Sequence, residues 1–219
     1  MTETAPHRPP QPSHDCPLCP RLEAFREKNR RKFPDFHNAP VPGFGPGRGR
    51  LLIVGLAPGL KGANATGRPF TGDYAGDLLY ATLDRFGFSK GTFKARPDDG
   101  LKLLDCRIVN AVRCVPPENK PKGKEVSTCR QFLEGELQAM TELKAIVALG
   151  VVAHKAVVAA LGLRQVAHPF KHGAVHALPD DRFLADSYHC SRYNTNTGRL
   201  TTEMFQSVFA EVRRRLDED

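Results

Sequence analysis

The sequence predicts an α/β protein in which a central parallel sheet of four strands is covered by helices on both faces. Three observations predict this fold. Four short apolar runs end in glycine or in polar residues, as buried parallel strands do. Segments with helical apolar spacing follow these runs, and the chain contains no internal repeat. Strands that alternate with helices favour a parallel sheet, because each helix packs back onto the sheet that it connects.

The clearest predicted strand is Leu-Lys-Ala-Ile-Val-Ala-Leu at 143–149, which Gly150 ends. The remaining elements are predicted from the same two kinds of spacing. They are strands at Leu51–Gly55, 106–112 and 182–188, helices at 78–86, 125–140 and 151–160, and a final amphipathic helix with Phe205, Val208, Phe209, Val212 and Leu216 on one face.

Length and composition favour one domain with a short appendage. The 219 residues are 40% hydrophobic, which suffices for one sizeable core. The first residues are rich in proline, and no apolar run approaches the roughly 20 residues of a membrane span. We therefore expect a disordered tail at 1–14, a single domain at 15–219, no membrane association and an intracellular, cytoplasmic protein.

The chain is basic, with 32 Lys and Arg against 24 Asp and Glu and a formal charge of +8. Basic residues are densest at 21–32, 120–124 and 213–215. Any one of these groups is more often a solvated surface than a binding site. Together they favour a polyanionic partner such as nucleic acid, and we expect the protein to act as a monomer.

Four of the six cysteines have the pattern of a metal site. Cys16 and Cys19 form a C-x-x-C pair, Cys114 follows a predicted strand, and Cys129 lies in a predicted helix. Such a set can close a four-sulfur site for zinc or for a [4Fe–4S] cluster, which the spacing does not distinguish. Buried, inert thiols are the alternative, and Cys106, inside a strand, is predicted to be one.

Three loops lie where ligands bind in parallel sheets, beyond the carboxyl ends of the strands. They are the loops at 55–73, 110–117 and 189–200. The loop at 55–73 is rich in glycine, which permits close backbone approach to a ligand, but no Gly-Lys-Ser/Thr ends it as in a nucleotide P-loop. The loop at 189–200 brings His, Ser, Asn and Arg together, side chains that suit phosphate contact.

Taken together, the motifs resemble the family 5 uracil-DNA glycosylases across almost the whole chain. The matching strings are Gly-Leu-Ala-Pro-Gly at 55–59, Thr-Gly-Arg-Pro-Phe-Thr-Gly-Asp at 66–73, Asn110, Cys114-Val-Pro-Pro and His189-x-Ser191-x-x-Asn194. The resemblance implies an enzyme that removes uracil from DNA, together with deaminated bases such as hypoxanthine, and leaves an abasic site. It also implies a structural [4Fe–4S] cluster held by Cys16, Cys19, Cys114 and Cys129.

The resemblance further implies roles for individual residues. Phe70 would stack on the flipped base, Asn110 would bind its pairing edge, and His189 would lie against its carbonyl oxygen. The segment 55–58, with Gly55, Ala57 and Pro58, would form the wall nearest the sugar. We expect DNA phosphates to contact Lys61, Ser191, Arg192 and Asn194.

Glycosidic cleavage develops positive charge on the sugar and negative charge on the departing base. Many uracil glycosylases direct water with a carboxylate or amide in the first motif, where this chain has Leu56 and Ala57. The resemblance supplies Asp73 instead, with His189 as the donor to the base. Asp73 would also suit the N-cap of the following helix. Many relatives have proline where Cys190 stands.

Two other functions compete with this interpretation. A cluster or zinc protein that binds nucleic acid without cutting it would lack the catalytic carboxylate. A nucleotide-phosphate hydrolase would need a pair of Mg²⁺-binding carboxylates, which the loop does not offer. Three histidines at His168, His172 and His176 are spaced like ligands. Because Pro169 interrupts any helix and we expect no acidic partner close to them, they are interpreted as loop histidines.

Overall fold

The computed structural model describes residues 9–218. Within that range the strands are β1 (Leu51–Gly55), β2 (Ser89–Lys90), β3 (Lys102–Leu103), β4 (Cys106–Asn110), β5 (Ala145–Leu149), β6 (Val175–Ala177) and β7 (Phe183–Ser187). The helices are α1 (Pro20–Lys32), α2 (Ala63–Thr66), α3 (Tyr74–Arg85), α4 (Gly123–Ala139), α5 (Val151–Ala160), α6 (Arg192–Asn196) and α7 (Thr202–Glu218). Short 3₁₀ turns lie at Pro117–Asn119 and Gln165–Ala167.

The α/β fold is confirmed. The main sheet has five strands, so the predicted number of four strands was wrong. Its order is β4-β1-β5-β7-β6, and the first four strands are parallel. The fifth, β6, pairs antiparallel with β7 along Val175 to Ala177. Three half-buried or exposed residues make this edge strand, so it has no continuous apolar run by which the sequence would reveal it.

Every residue of the four parallel strands is buried, as expected for a sheet with helices on both faces. Alternate side chains of one strand serve opposite cores, because successive residues point to opposite faces. In β1, Leu51 and Ile53 pack in the core that includes α3 and α7, whereas Leu52 and Val54 pack in the core that includes α4 and α5.

The predicted boundaries of helices and strands agree best with the structure where a glycine lies at the boundary. The helix predicted at 151–160 is α5 without change, because Gly150 precedes it with φ of 95°, a value that favours glycine. The strands predicted at 106–112, 143–149 and 182–188 are each shorter in the structure. No helix within the described range has the length and apolarity to cross a membrane.

The tail expected at 1–14 lies partly outside the described residues. Of its described part, Gln11 donates from Nε2 to Glu136 Oε1 at 2.8 Å and accepts from the backbone N–H of Gly43 at 3.2 Å. Glu136 is itself fully buried and paired with Arg107 and Arg113. Residues 9–14 therefore lie against the domain near α4, and the disorder expected for 1–8 concerns residues that the structure does not describe.

Candidate active site

A cavity of about 900 Å³ opens beyond the carboxyl ends of β1, β5 and β7. Its lining combines residues that follow these three strands with residues that begin α3. The lining includes Leu56, Ala57, Gly59, Lys61, Asp73, Tyr74, Phe170, Tyr188, His189, Ser191, Arg192, Asn194 and Arg199. Asp73 and His189, far apart in sequence, therefore face one shared cavity.

Asp73 stands at the start of α3, and the loop that packs against its carboxylate has a glycine at the point of contact. It occupies the N-cap position, but its side chain makes no capping hydrogen bond. The carboxylate packs against Gly62 so closely that a Cβ there would lie within 2.3 Å of Oδ2. Its Oδ1 is buried without a hydrogen-bond partner. Asp73 therefore stands at the predicted N-cap position, and its carboxylate lies near the first N–H groups of α3 without a capping hydrogen bond of full geometry.

Burial raises the pKa of Asp73 above its ordinary 3.8, and the nearby N–H groups of Ala75 and Gly76 offset only part of this rise. A carboxylate with a raised pKa is a stronger base than a solvated one. Oδ1 is buried beside the cavity and keeps an acceptor position that no group of the described residues uses.

His189 is a neutral imidazole at neutral pH. Burial lowers its pKa to about 4, because a desolvated ring resists protonation. Its Nδ1 is buried and has no hydrogen-bond partner. The loop around it is fixed by Asn194, whose Nδ2 donates to the His189 carbonyl at 2.8 Å, and by Ser191, whose Oγ accepts from the Asn194 N–H at 3.4 Å.

Phe70, Asn110 and Gly55 lie together immediately behind the cavity. The Phe70 and His189 rings are stacked, with centroids 5.9 Å apart and 27° between planes. A Cβ at Gly55 would lie 2.4 Å from Asn110 Oδ1 and 2.6 Å from Phe70 Cζ, so only glycine fits between these two groups. Asn110 is 3% exposed. None of the three lines the cavity itself, and neither does buried Pro58.

Phe70 adopts φ of 52°, which is uncommon for a bulky residue and survives only where neighbours impose it. The neighbours are identifiable. Arg68 forms a bidentate pair with Asp99, with both N–O distances 2.7 Å, and donates to Thr71 at 2.8 Å. The Tyr80 hydroxyl donates to the Pro69 carbonyl at 2.7 Å. The loop is therefore rigid on both sides of Phe70.

The expected phosphate-binding residues all line the cavity, with different freedom. Lys61 and Arg192 bring positive charge to the cavity wall. The Arg192 Cζ lies 5.4 Å from the centroid of the Tyr74 ring. Ser191 and Asn194 already bond within their own loop. Between Arg192 and Asn194, the Tyr193 side chain is 71% exposed. Sequence reasoning missed Tyr193, although a large aromatic residue inside a polar loop was the available signal.

The four expected metal-ligating cysteines line a second, small cavity beside α1 and α4. The Arg113 N–H donates to Cys129 Sγ at 3.4 Å, and Arg26 Nη1 lies 3.9 Å from Cys114 Sγ. Within residues 9–218, the three candidate metal ligands whose ligating atoms all lie within 4.8 Å of one another belong to a different group. No three of the four cysteine sulfurs are that close together. Cys106 is buried in β4, as expected.

That different group is His154, Asp186 and His176. The interpretation of His176 as a loop histidine was wrong, because it lies in β6, whereas His168 and His172 lie in loops as expected. His154 Nδ1 lies 2.7 Å from Asp186 Oδ1, and His176 Nε2 lies 3.1 Å from Asp186 Oδ2. Two ligands of one tetrahedral zinc are about 3.3 Å apart, so 2.7 Å marks a direct hydrogen bond. An aspartate inside the buried strand β7 was the signal that sequence reasoning passed over.

This buried network anchors the chain segment that carries Phe170 to the cavity. His154 Nε2 donates to the His168 carbonyl at 2.8 Å, and its ring packs edge-on against Phe170 with centroids 5.5 Å apart. Burial opposes charge on His154, but the hydrogen bond and charge of Asp186 outweigh it, so the pKa of His154 is raised.

Comparison with known proteins gives concordant matches. The family model described as the uracil DNA glycosylase superfamily matches residues 42–213. The type-5 uracil-DNA glycosylase of Thermus thermophilus is 48% identical over 204 residues, covering 91% of this chain and 93% of that protein. Its Mycobacterium tuberculosis counterpart is 42% identical, covering 91% and 77%. The type-4 uracil-DNA glycosylase of Pyrobaculum aerophilum is 35% identical, covering 68% and 63%.

Proposed function

The chain belongs to the type-5 uracil-DNA glycosylases of the uracil-DNA glycosylase superfamily, which hydrolyse N-glycosyl bonds, and we propose that Asp73 and His189 carry the removal of uracil from DNA in the 900 Å³ cavity. One observation carries this assignment. Both side chains line the same cavity, and each has a buried polar atom without a partner. Native proteins rarely leave such atoms unpaired unless a ligand or a function uses them.

Asp73 acts on the sugar side of the scissile bond. Its ionised carboxylate offsets the positive charge that develops on the sugar, and its unpartnered Oδ1 accepts a hydrogen bond from the attacking water. A positioned general base is worth about 10²–10⁴ in rate. Burial makes the carboxylate a stronger base.

His189 acts on the base. A neutral imidazole N–H donates to the carbonyl oxygen on which negative charge develops, and losing such a donor typically costs about 10²–10³ in rate. With its pKa near 4, the ring is neutral at neutral pH and keeps one N–H available. The ring cannot also serve as an acid that protonates the base fully.

Phe70 and Asn110 bind the uracil ring. The Asn110 amide has no hydrogen-bond partner within the described residues and offers both donor and acceptor to a pairing edge. Phe70 gives an apolar face that is held rigidly in place. Gly55 admits both groups at close range. Neither group lines the cavity of the free protein, so their contact with uracil requires a small opening as the base enters.

The target nucleotide must leave the base stack to reach Asp73 and His189. Lys61, Arg192, Ser191 and Asn194 grip the strand at the cavity wall. Tyr193 is exposed between two of them and is suited to fill the gap that the extruded nucleotide leaves. The cavity also has room for a purine, and we expect hypoxanthine to be excised in addition to uracil.

Cys16, Cys19, Cys114 and Cys129 hold a [4Fe–4S] cluster in this proposal. Sulfur ligands of one zinc ion lie about 3.8 Å apart, whereas within the described residues no three of these four sulfurs come within 4.8 Å of one another. Hydrogen bonds to two of the sulfurs suit a thiolate-bound group. The cluster would supply a structural clasp between α1, α4 and the loop after β4, and the excision steps use none of its redox chemistry.

A labelled oligonucleotide with one uracil tests the proposed function. The purified protein is incubated with it in EDTA, and the product is treated with alkali. We expect strand breakage that depends on alkali, abolished or strongly slowed in Asp73→Asn and His189→Ala, with DNA binding retained. An unbroken strand with retained binding would instead indicate a non-catalytic binding module. A parallel assay with inosine tests the second substrate.

The cluster is tested separately by iron analysis and by visible absorption of protein purified without oxygen. We expect close to four irons per chain, by the stoichiometry of the cluster, and a broad brown absorption. A colourless, zinc-containing protein would contradict the assignment.

A further inference from the structure

Two arginines at the cavity wall are each stacked on a tyrosine that also lines the cavity. The Arg192 Cζ lies 5.4 Å from the centroid of the Tyr74 ring. The Arg199 Cζ lies 4.7 Å from that of Tyr188. All four residues line the cavity. Arg199 lies in the loop at 189–200 but was not among the residues expected to contact phosphate.

Neither guanidinium forms an ion pair within the described residues. Within residues 9–218, neither Arg192 nor Arg199 has a carboxylate oxygen within 4.0 Å. This differs from Arg68, Arg107 and most other arginines of the described range, which pair with Asp or Glu. Of the residues that line the cavity, only Asp73 is acidic, whereas Lys61 adds a further positive charge.

The two tyrosines are placed by the elements that place the catalytic pair. Tyr74 directly follows Asp73 and begins α3. Tyr188 directly precedes His189, and its ring stacks on His172 with centroids 4.9 Å apart and 19° between planes. The Tyr188 N–H also donates to His172 Nδ1 at 3.0 Å. Each arginine is therefore oriented by a ring whose position is tied to a catalytic residue.

Stacking leaves the useful part of a guanidinium free. A ring covers the face of the group, while the N–H donors point outward in its plane, in the fork that matches two phosphate oxygens. A cation held in this way loses little side-chain freedom when it binds. On the premise of the proposed function, we propose that Arg199 and Arg192 bind DNA phosphates on either side of the extruded nucleotide, with Tyr188 and Tyr74 as positioning residues.

The salt dependence of DNA binding tests this assignment. Each phosphate neutralised on a duplex contributes about 0.9 to the slope of log Kd against log salt, and about 0.7 on a single strand. Arg199→Gln should lower the slope by one such increment, Arg192→Gln by another, and the double variant by both. For one increment on a duplex, the wild-type affinity falls about 3.5-fold more than the variant's between about 50 and 200 mM KCl.

Arg85 provides a matched control. It also lies over an aromatic ring, at 5.8 Å from the Phe86 centroid, and has no carboxylate partner within the described residues. It ends α3, about 17 Å along the helix axis from Tyr74. Arg85→Gln should leave the slope unchanged. An equal change in Arg85→Gln and Arg199→Gln would show a general effect of net charge and would overturn the proposal.

Variants of Tyr188 separate positioning from structure. Tyr188→Phe keeps the ring and should keep wild-type binding, whereas Tyr188→Leu should weaken binding about two- to fivefold, the scale of one exposed cation–π contact. Arg199→Lys should keep the slope and show a similar loss of affinity. Unfolding temperatures confirm that each variant is folded.

Uracil excision by the unaltered protein is measured in parallel, so that the two proposals fail separately. If the protein excises uracil but Arg199→Gln binds with the wild-type slope, the phosphate assignment is wrong and the glycosylase assignment stands. If the slope changes as expected but no uracil is released, the reverse holds.

Discussion

Gly62→Ala should disable the enzyme while leaving its fold nearly intact. An added Cβ would lie 2.3 Å from Asp73 Oδ2 and 2.9 Å from Asp73 Cγ. Ordinary contact begins near 3.4 Å, so the carboxylate must move by about 1 Å. The two shortest contacts are with the carboxylate, which can turn aside, whereas the third, 3.0 Å from Asp73 Cβ, requires a shift of only a few tenths of an ångström at the start of α3. The clash therefore displaces mainly the base.

A displacement of about 1 Å in a catalytic group typically costs about 10² in rate. We therefore expect Gly62→Ala to slow single-turnover excision about 100-fold, with Asp73→Asn setting the lower limit. Gly59→Ala is the matched control, because its Cβ would stand 3.1 Å from the same oxygen and requires a shift of only a few tenths of an ångström. Its rate should stay within a few-fold of wild type.

The assay uses enzyme in excess over a uracil oligonucleotide, so that chemistry and not product release is measured. Thermal unfolding of both variants is recorded beside it. If Gly62→Ala excised uracil at the wild-type rate with an unchanged unfolding temperature, Asp73 would not be the group that directs water. Equal losses in the two glycine variants would show that the loop, and not the carboxylate, is responsible.

Three further outcomes follow from the same structure. The excision rate should fall in acid as Asp73, whose pKa burial raises above 3.8, takes up a proton; a pH–rate profile without an acid limb would contradict its role as the base. Asp186→Asn should lower the free energy of unfolding by about 3–5 kcal/mol, since it breaks a buried pair. The raised pKa of His154 makes its share of this stability complete below about pH 6.5 and lost as pH rises through the folded-state value, so urea unfolding should show a smaller difference between variant and wild type in alkali than near pH 6. Cys16→Ser should lower iron content and unfolding temperature together, while the excision rate per folded molecule stays close to wild type; a rate that falls in proportion to iron would give the cluster a part in the chemistry.

The fold was predictable where several consecutive residues are buried, because such a segment appears in the sequence as a run of apolar residues. The four parallel strands are buried on both faces, and each appears in the sequence as a run such as Ala145–Leu149. Gly150 marks a sharp boundary because its φ of 95° excludes most other residues. The edge strand β6 has neither mark. Its pairing partners lie in β7, and only the folded chain brings them together.

The site was predictable as a set of residue types on particular loops, and less so as a geometry. Asp73 and His189 share a cavity as expected. Phe70 and Asn110, expected on its wall, lie behind it, because their positions depend on how Gly55 packs against both. The partnership of His176 with Asp186 also escaped prediction, since it joins two strands through a pairing that the sequence does not display.

The loop that carries His189 is attached to the helix that follows Asp73 through the side chain of Cys190. Cys190 is fully buried, and its thiol donates to the Ala75 carbonyl at 3.4 Å. Cys190 directly follows His189, and Ala75 lies in the first turn of α3, two residues after Asp73. One hydrogen bond thus joins the loop that carries His189 to the first turn of α3, close to both Asp73 and His189. A buried polar atom without a partner, such as Asp73 Oδ1 or His189 Nδ1, lowers the folding stability by about 1–3 kcal/mol. Such a side chain would move toward a hydrogen-bond partner unless its backbone were held in place. Proline fixes such a backbone by restricting its own φ. In this chain the thiol fixes the loop by attaching it to α3, so the separation between base donor and carboxylate is set directly between the two elements that carry them.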